Sequence, residues 1–554
     1  MRSKWLVLLF AAVLVTVLAS CSTPEAEIVE VTKEVEVVVT QIVVEEGEEK
    51  IVEVTKIVEV TVAPEEEEPV STEPVVGGTL NLSVGPDFTT FDPFYDVTNY
   101  EFKAPFFEAP LRISDEADFE PWLAESYEIN EDGTVITLHL RQGVMFHNGR
   151  EMKAEDVVWS VDRARDQEQG YHLADRFTTC TGAAAIDDYT VEVYYSETTH
   201  SAKDGISHLY IFPQEAAETI ETVPVGTGPF KYEEWVPGDH MTAVRFEEYW
   251  REGLPYLDKL VIKPIPDEQS RMVNLLAGST DFMLYVPLSD KALLESAPGI
   301  IVRESPPGFA FYAFLMNINE PPFDNLLVRQ AMNYAVDREK IGQLAFHGQA
   351  LTSVLPYPET SWAYPADLAD YYTFDLDKAK ELLTEAGFPD GFKTEMLVRG
   401  TSGPYLDVAQ VYQQDLAQIG VELELLPTEL PQYWPLLIGS EFAIVVHGTG
   451  DATVDASGLF EGAACCRPFR NFFGITENTT WFPEYADLIA RGGNEMDQEV
   501  RKELYHDAVS ILMEQGWTIN LAWQQMVFAY NDVLKDVRTD MDGQIWLDEA
   551  WLAR

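Results

Sequence analysis

Apolar and polar residues alternate along most of the stretch before residue 76, and only in short separated runs beyond it. The segment 28–37 (IVEVTKEVEV) nearly repeats at 51–60 (IVEVTKIVEV). Alternation with period two is the pattern of a strand. One such stretch has too little apolar area to fold by itself, and its charge favours an extended or disordered chain. A Val-rich coiled coil, or β-pairing with other copies, is the other reading. No aromatic residue occurs in 22–76, and Glu65 to Glu68 sit among Pro64, Pro69 and Pro74, as in a stretched spacer. At about 3.3 Å per extended residue this stalk could reach on the order of 180 Å. Its expected task is clearance between an anchor and a domain.

From Gly77 onward the pattern mixes. The run TLNLSV at 79–84 alternates as a strand should and is broken by Gly85-Pro86. VITLHL at 135–140 is a second alternating strand, preceded by the turn residues Asp132 and Gly133. Helical spacing predicts helices over 154–164, 267–276, 325–345 and 377–387, with Asp377 as N-cap and Gly387 just past the end. Segments 406–419 and 499–515 carry apolar stripes of the same kind. Strands and helices mixed in this way imply an α/β or α+β body.

The first residues carry different information. Arg2 and Lys4 precede an apolar run from Trp5 to Leu18, which is shorter than the roughly 20 residues of a membrane-spanning helix. The run ends in Leu18-Ala19-Ser20-Cys21, which resembles the lipobox of bacterial lipoproteins. That resemblance implies export, removal of 1–21 as a signal peptide, and lipidation of Cys21. The expected location is extracytoplasmic, on the cell membrane or in the periplasm.

The 554 residues are too many for one compact domain, so two or three are expected. Lys and Arg number 37 against 94 Asp and Glu, a net charge of −57. Such a surface repels nucleic acid and excludes it as a partner. Cysteines stand only at 21, 180, 465 and 466, with no C-x-x-C and no following histidine pair, so no metal site is expected. Either of the adjacent Cys465 and Cys466 could bridge to Cys180, or the thiols stay free.

Six blocks in order then resemble the family 5 extracellular solute-binding proteins, the peptide and nickel binders of ABC transport. They are GGTLNL at 77–82 with TFDPF at 90–94; LAESY at 123–127 with LHLRQGVMFHNGREMKAEDV at 138–157; VGTGPF at 225–230 with Trp235 and Tyr249-Trp250; Pro266-Asp267-Glu268, Leu276-Ala277-Gly278 and Asp281; PFD at 322–324 with VRQAMNYAVDR at 328–338; and AKELLTEAGFPDG at 379–391. The resemblance implies an α/β fold, a type II periplasmic-binding-protein clamshell of two lobes with an extra N-terminal subdomain. Lobe 1 would be 77–305, completed by about 515–554, and lobe 2 would be 306–514. Hinged closure over a ligand, delivery to an ABC permease and its ATPase, a monomeric state and the absence of catalysis all follow from the same likeness. A peptide is the expected ligand, with an oligosaccharide, an opine-like compound or a metal complex as alternatives. A sensory surface lipoprotein is the non-transport alternative.

The motifs themselves read as structural. Gly226 and Gly228 lack the Lys-Ser/Thr of a phosphate loop, and Pro229 interrupts the helix such a loop needs. No G-x-S-x-G and no H-E-x-x-H supports a hydrolase. No cofactor is implied. The ligand loop of the family corresponds to 442–460, where Asp451 falls on the aspartate that counters a peptide's amino terminus. His447-Gly448 replaces the family's Gly-Trp, Ala452 and Asp455-Ala456 depart from it too, and Val445 and Val446 stand where some peptide binders place a basic residue. His447, Tyr95 and Tyr100 after the first D-P turn, and the far-half indoles Trp434 and Trp481 complete the candidate ligand-binding set; Trp523 is a further candidate aromatic.

Overall fold

The computed structural model describes residues 31–45, 48–62, 73–94, 100–114, 118–166, 174–197, 202–305, 310–400, 404–449, 479–540 and 543–554. Two units divide the chain, one up to Val70 and one from Ser71 to Arg554. In the first, Val31–Glu45 and Glu48–Val62 pair antiparallel over their full length, Val31 opposite Val62 and Glu45 opposite Glu48. Residues 31–45 and 48–62 of the alternating stretch therefore form the two arms of a hairpin. Both strands alternate with period two, and the antiparallel register keeps that alternation in phase.

The body is built on two large mixed sheets. The first runs Phe230–Val236, His240–Arg245, Lys259–Pro264, Thr79–Val84, Phe282–Met283, Val527–Asn531, Ile300–Glu304, with Thr79–Val84 parallel to both neighbours. The second runs Ala350–Thr352, Thr518–Gln524, Ala310–Met316, Ile444–Thr449, Lys393–Arg399, Glu422–Thr428. Its apolar strands are buried on both faces, as near-continuous hydrophobic runs require. Phe314, Met316, Met396, Val398, Ile444 and Val446 enter one core, while Ala313, Leu315, Leu397 and Val445 enter another across the sheet. A four-stranded antiparallel sheet, Ala124–Ile129, Val135–Leu140, Thr190–Tyr195, Cys180–Asp187, with the helix Ala154–Ala164, forms the added subdomain.

Two segments join the large sheets. One leaves Ile300–Glu304 through Ser305, and the other is Gln525-Met526 between Thr518–Gln524 and Val527–Asn531. They are bonded to each other: the Ser305 amide donates to the Met526 carbonyl at 2.8 Å, the Met526 amide to Ser305 Oγ at 3.0 Å, and Gln525 Nε2 to the Ser305 carbonyl at 2.6 Å. The return crossing thus lies at 525–526 and not near 515. Thr518–Gln524 pairs with Ala310–Met316 and belongs to the second lobe, which the run of apolar residues there did not reveal.

Several helices shift from the periodic reading. The segment 325–345 is two helices, Leu326–Tyr334 and Arg338–Leu344, because Asp337 accepts from the Lys340 amide and caps a new start. Asp375, not Asp377, caps Leu376–Glu385; Asp377 lies in the first turn, where the helix dipole favours it. The VGTGPF block proves to be a packing device. His147 Nε2 donates to the Gly228 carbonyl at 2.9 Å, its Nδ1 accepts from the Gly226 amide at 3.2 Å, and Thr227 Oγ1 donates to buried Glu108 at 2.8 Å. A Cβ on Gly226 or Gly228 would lie 2.2 Å from the Phe106 oxygen or 2.5 Å from the Pro105 oxygen. Only glycine lets the backbones approach this closely. Cys180 is a buried free thiol, and Cys465 and Cys466 lie outside the described residues. No described helix is long and apolar enough to cross a membrane.

Candidate functional site

The parallel strands Lys393–Arg399 and Ile444–Thr449 end side by side, with Val398 opposite Val446, so Arg399 emerges next to His447. Ala310–Met316 runs the other way and starts at this same edge, with Tyr312 opposite Gly448. Beside the lobe crossing, the sheet edge therefore gathers Arg399, His447, Gly448 and Tyr312. Ligands favour the carboxyl ends of parallel strands for this topological reason.

The arginine sits in an aromatic box. Its Nη1 donates to Tyr405 Oη at 2.9 Å, and the guanidinium lies 5.0 Å from the Tyr405 ring and 5.6 Å from the Trp434 ring. Among the described residues no carboxylate pairs with it, although acids outnumber bases by 94 to 37 in the chain. Tyr312 packs on Tyr405 at 5.1 Å, and Trp434, 39% exposed, meets the His447 ring edge-on at 6.2 Å. Tyr433 Oη donates to the Val446 carbonyl at 3.1 Å and holds His447 Nδ1 at 3.2 Å. A Cβ on Gly448 would lie 2.8 Å from Tyr405 Oη, so glycine there is what admits the tyrosine.

The first lobe faces this box with an acid and a phenol. Tyr285 follows Phe282–Met283 with φ at +56°, a left-handed conformation that a bulky residue adopts only when its surroundings impose it. Its hydroxyl donates to the carboxylate of buried Glu101. Enclosure of the hydroxyl, then the Glu101 charge, push the Tyr285 phenol well above its ordinary range, with Tyr312 and Tyr405 close enough to add to the effect. One lobe thus brings a carboxylate and the other a guanidinium to a common aromatic setting.

The family model for bacterial extracellular solute-binding proteins, family 5, matches residues 118–470. The chain belongs to this family. Heme-binding protein A of Haemophilus influenzae is 34% identical to this solute-binding protein over 438 residues, covering 73% of this chain and 79% of that one. The glutathione-binding protein GsiB of Escherichia coli K12 is 29% identical over 471 residues, 81% of this chain and 90% of the other. The periplasmic binding protein DppA of Helicobacter pylori, solved with the peptide STSA, superposes with a TM-score of 0.76 at 26% identity, covering 87% and 99%. The two-lobed type II binding-protein architecture is shared with it.

The residues expected from sequence fall differently within the solute-binding protein. His447 and Trp434 come together in the box around Arg399. Trp481 instead stacks on Trp517 at 6.1 Å and packs against Tyr485, at the margin of a core. Trp523 is buried against Phe311 at 4.8 Å. Tyr100 opens the short 3-10 helix Tyr100–Phe102 that carries Glu101, while Tyr95, Asp451 and Cys21 lie outside the described residues. Sequence reasoning missed Arg399, Tyr405, Tyr312, Tyr285 and Glu101. The strand that carries Val445 and Val446 pairs with the one that Arg399 ends. The only local hint was a basic residue ending an apolar strand just before Gly400, whose φ is +74°.

Proposed function

We propose that this protein is a lipid-anchored extracytoplasmic solute-binding protein that captures a carboxylate-bearing, peptide-like ligand and delivers it to an ABC permease. Arg399 carries the reading: a cation without an acidic partner among the described residues, walled by aromatic rings, beside the lobe crossing. A ligand carboxylate can take the bidentate geometry that a guanidinium offers. Glu101 and Asp451 are the acids for a ligand amino group, and Trp434 and Tyr312 supply apolar walls. Closing of the lobes about 305 and 525–526 is driven by contacts to both sides. The capture unit is a monomeric binder, in keeping with the transport role of the family. Cys21 bears the acyl groups that hold it to the membrane.

Thermal shift and calorimetry with di- to pentapeptides, and with the same peptides amidated at the C-terminus, test this. A ligand at a hundredfold excess over Kd stabilises the folded state by about 2.7 kcal/mol. Arg399→Gln should weaken free-acid peptides by more than about thirtyfold, the effect of removing one partner of a desolvated charge pair, and leave the amides unaffected. Asp451→Ala should weaken peptides more than about tenfold, and N-acetylation should remove that difference. Equal binding of acid and amide forms by both proteins would defeat the proposal. The partly exposed Trp434 ring beside a guanidinium also suits a planar carboxylated macrocycle, in line with the name of the heme-binding relative. A Soret shift on adding hemin, lost in Arg399→Gln, would select that reading.

A further inference from the structure

Two short strand pairs pack on the core of the first large sheet, Leu111–Ile113 with Phe119–Pro121 and Arg538–Thr539 with Ile545–Trp546. Between them lies a polar cavity of about 110 Å³, walled by Arg112, Glu120, Arg538, Asp540 and Trp546 among others. It shares no residue with the box around Arg399. Arg112 is held from several sides: its Nε donates to Glu120, and its guanidinium lies 3.8 Å from the centre of the Trp122 ring and 5.5 Å from that of Trp546. Its Nη1 is buried and has no hydrogen-bond partner. Arg538 is half-buried, and among the described residues its side chain makes no hydrogen bond and no ion pair. This is unexpected in a chain with 94 acids to 37 bases, because leaving a shielded guanidinium N–H unpaired is costly. The carboxylates close by are engaged elsewhere. Glu120 holds Arg112 Nε, and Asp540 accepts from the Gln544 amide at 2.9 Å and from Trp546 Nε1 at 3.0 Å. Glu549, near enough to feel both guanidiniums, accepts from Arg251 Nη2 at 2.5 Å.

We propose that this cavity binds a small oxyanion of the phosphate or sulfate kind, held between Arg112 and Arg538. A guanidinium whose faces lie against indoles donates from its edge, and that edge is what matches the oxygens of an anion. The space is several times the roughly 30 Å³ of one water, so it admits an anion together with solvent. The two arginines that line it are balanced by Glu120 and Asp540, and the chain as a whole carries −57. Directed N–H donors, rather than net charge, therefore hold the anion, and the expected Kd is about 1 mM. A bound anion joins the strand pair near the C-terminus to the one that follows the first D-P turn. It thereby stabilises this lobe without occupying the ligand cleft.

The purified full chain, titrated with inorganic phosphate while sodium chloride keeps the ionic strength constant, should show a melting temperature that rises and saturates, half of the rise coming by about 1 mM. Arg538→Gln removes no hydrogen bond or ion pair of the described structure, and should raise the half-saturating concentration at least about tenfold. Arg112→Gln should act in the same direction. Arg399→Gln should leave the phosphate response as it is, which separates this site from the cleft. A rise that stays linear in phosphate and is equal in the native chain and Arg538→Gln would be exclusion of the salt from the protein surface, and would overturn the inference. So would the absence of any response, or a response that Arg399→Gln abolishes and Arg538→Gln retains.

Discussion

Acidification should act on His147 more than on any surface histidine, because the structure leaves no room for its charged form. The ring is 2% exposed. Gly226 donates an amide hydrogen to Nδ1, so Nε2 must carry the proton that goes to the Gly228 carbonyl, and protonation of Nδ1 would set two donors against each other. Burial above all, with the Lys231 charge adding to it, lowers its pKa from 6.5 to about 4. The unfolded chain takes up a proton near pH 6.5 and the folded chain refuses it until about 4. The stability that neutral His147 contributes is complete above 6.5 and drains away as pH falls through that window. At about 1.4 kcal/mol per pH unit the loss totals about 3 kcal/mol. Glu108, fully enclosed in the same cluster, works the other way: burial raises it from 4.5 to about 7 against the pull of four donors, so its contribution weakens as pH rises from 4.5 to 7. The two slopes offset each other in the native protein. The diagnostic quantity is therefore the difference from His147→Gln, which keeps a donor and an acceptor without the titration. Urea unfolding at pH 7 and pH 4.5 should show the wild-type advantage shrinking by about 2.5 kcal/mol at the lower pH. Parallel stabilities at both pH values would refute the reasoning.

Gly228→Ala drives a Cβ into the Pro105 and Phe106 backbone, which cannot swing aside. It should cost about 3 kcal/mol or more in thermal unfolding, at the upper end of overpacking. Gly448→Ala crowds Tyr405 Oη at 2.8 Å and disturbs the box. Ligand affinity measured by calorimetry should fall about tenfold or more while the melting temperature changes little. Cys21→Ala should move the protein from the membrane fraction to the soluble one on cell fractionation and abolish labelling with a palmitate analogue.

Much of the architecture was legible locally. VITLHL became the strand Val135–Leu140, and the helix over 154–164 appeared with those bounds, because periodicity is a property of neighbours in sequence. Helix ends were less legible: Asp375 and Asp377 are both plausible caps by residue type, and which one caps depends on where the preceding chain turns. The blocks that carried the family likeness turn out to be clamps, such as His147 on Gly226 and Gly228, or Arg329 donating to the Gln515 carbonyl at 2.9 Å. Their wide spacing in sequence is the spacing of contacts made only after folding.

The sequence by itself determined the class of fold, the acidic character and the membership that the clamping motifs encode. It could not place the site. Glu101, Tyr285, Tyr312, Arg399, Tyr405 and His447 come together only because parallel strands end at one edge and the chain crosses between lobes beside it. Long-range strand order is decided by which faces bury each other, and no run of neighbouring residues contains that information. The stalk shows the same division: alternation announced strands, but their pairing into a returning hairpin was decided by register across the chain.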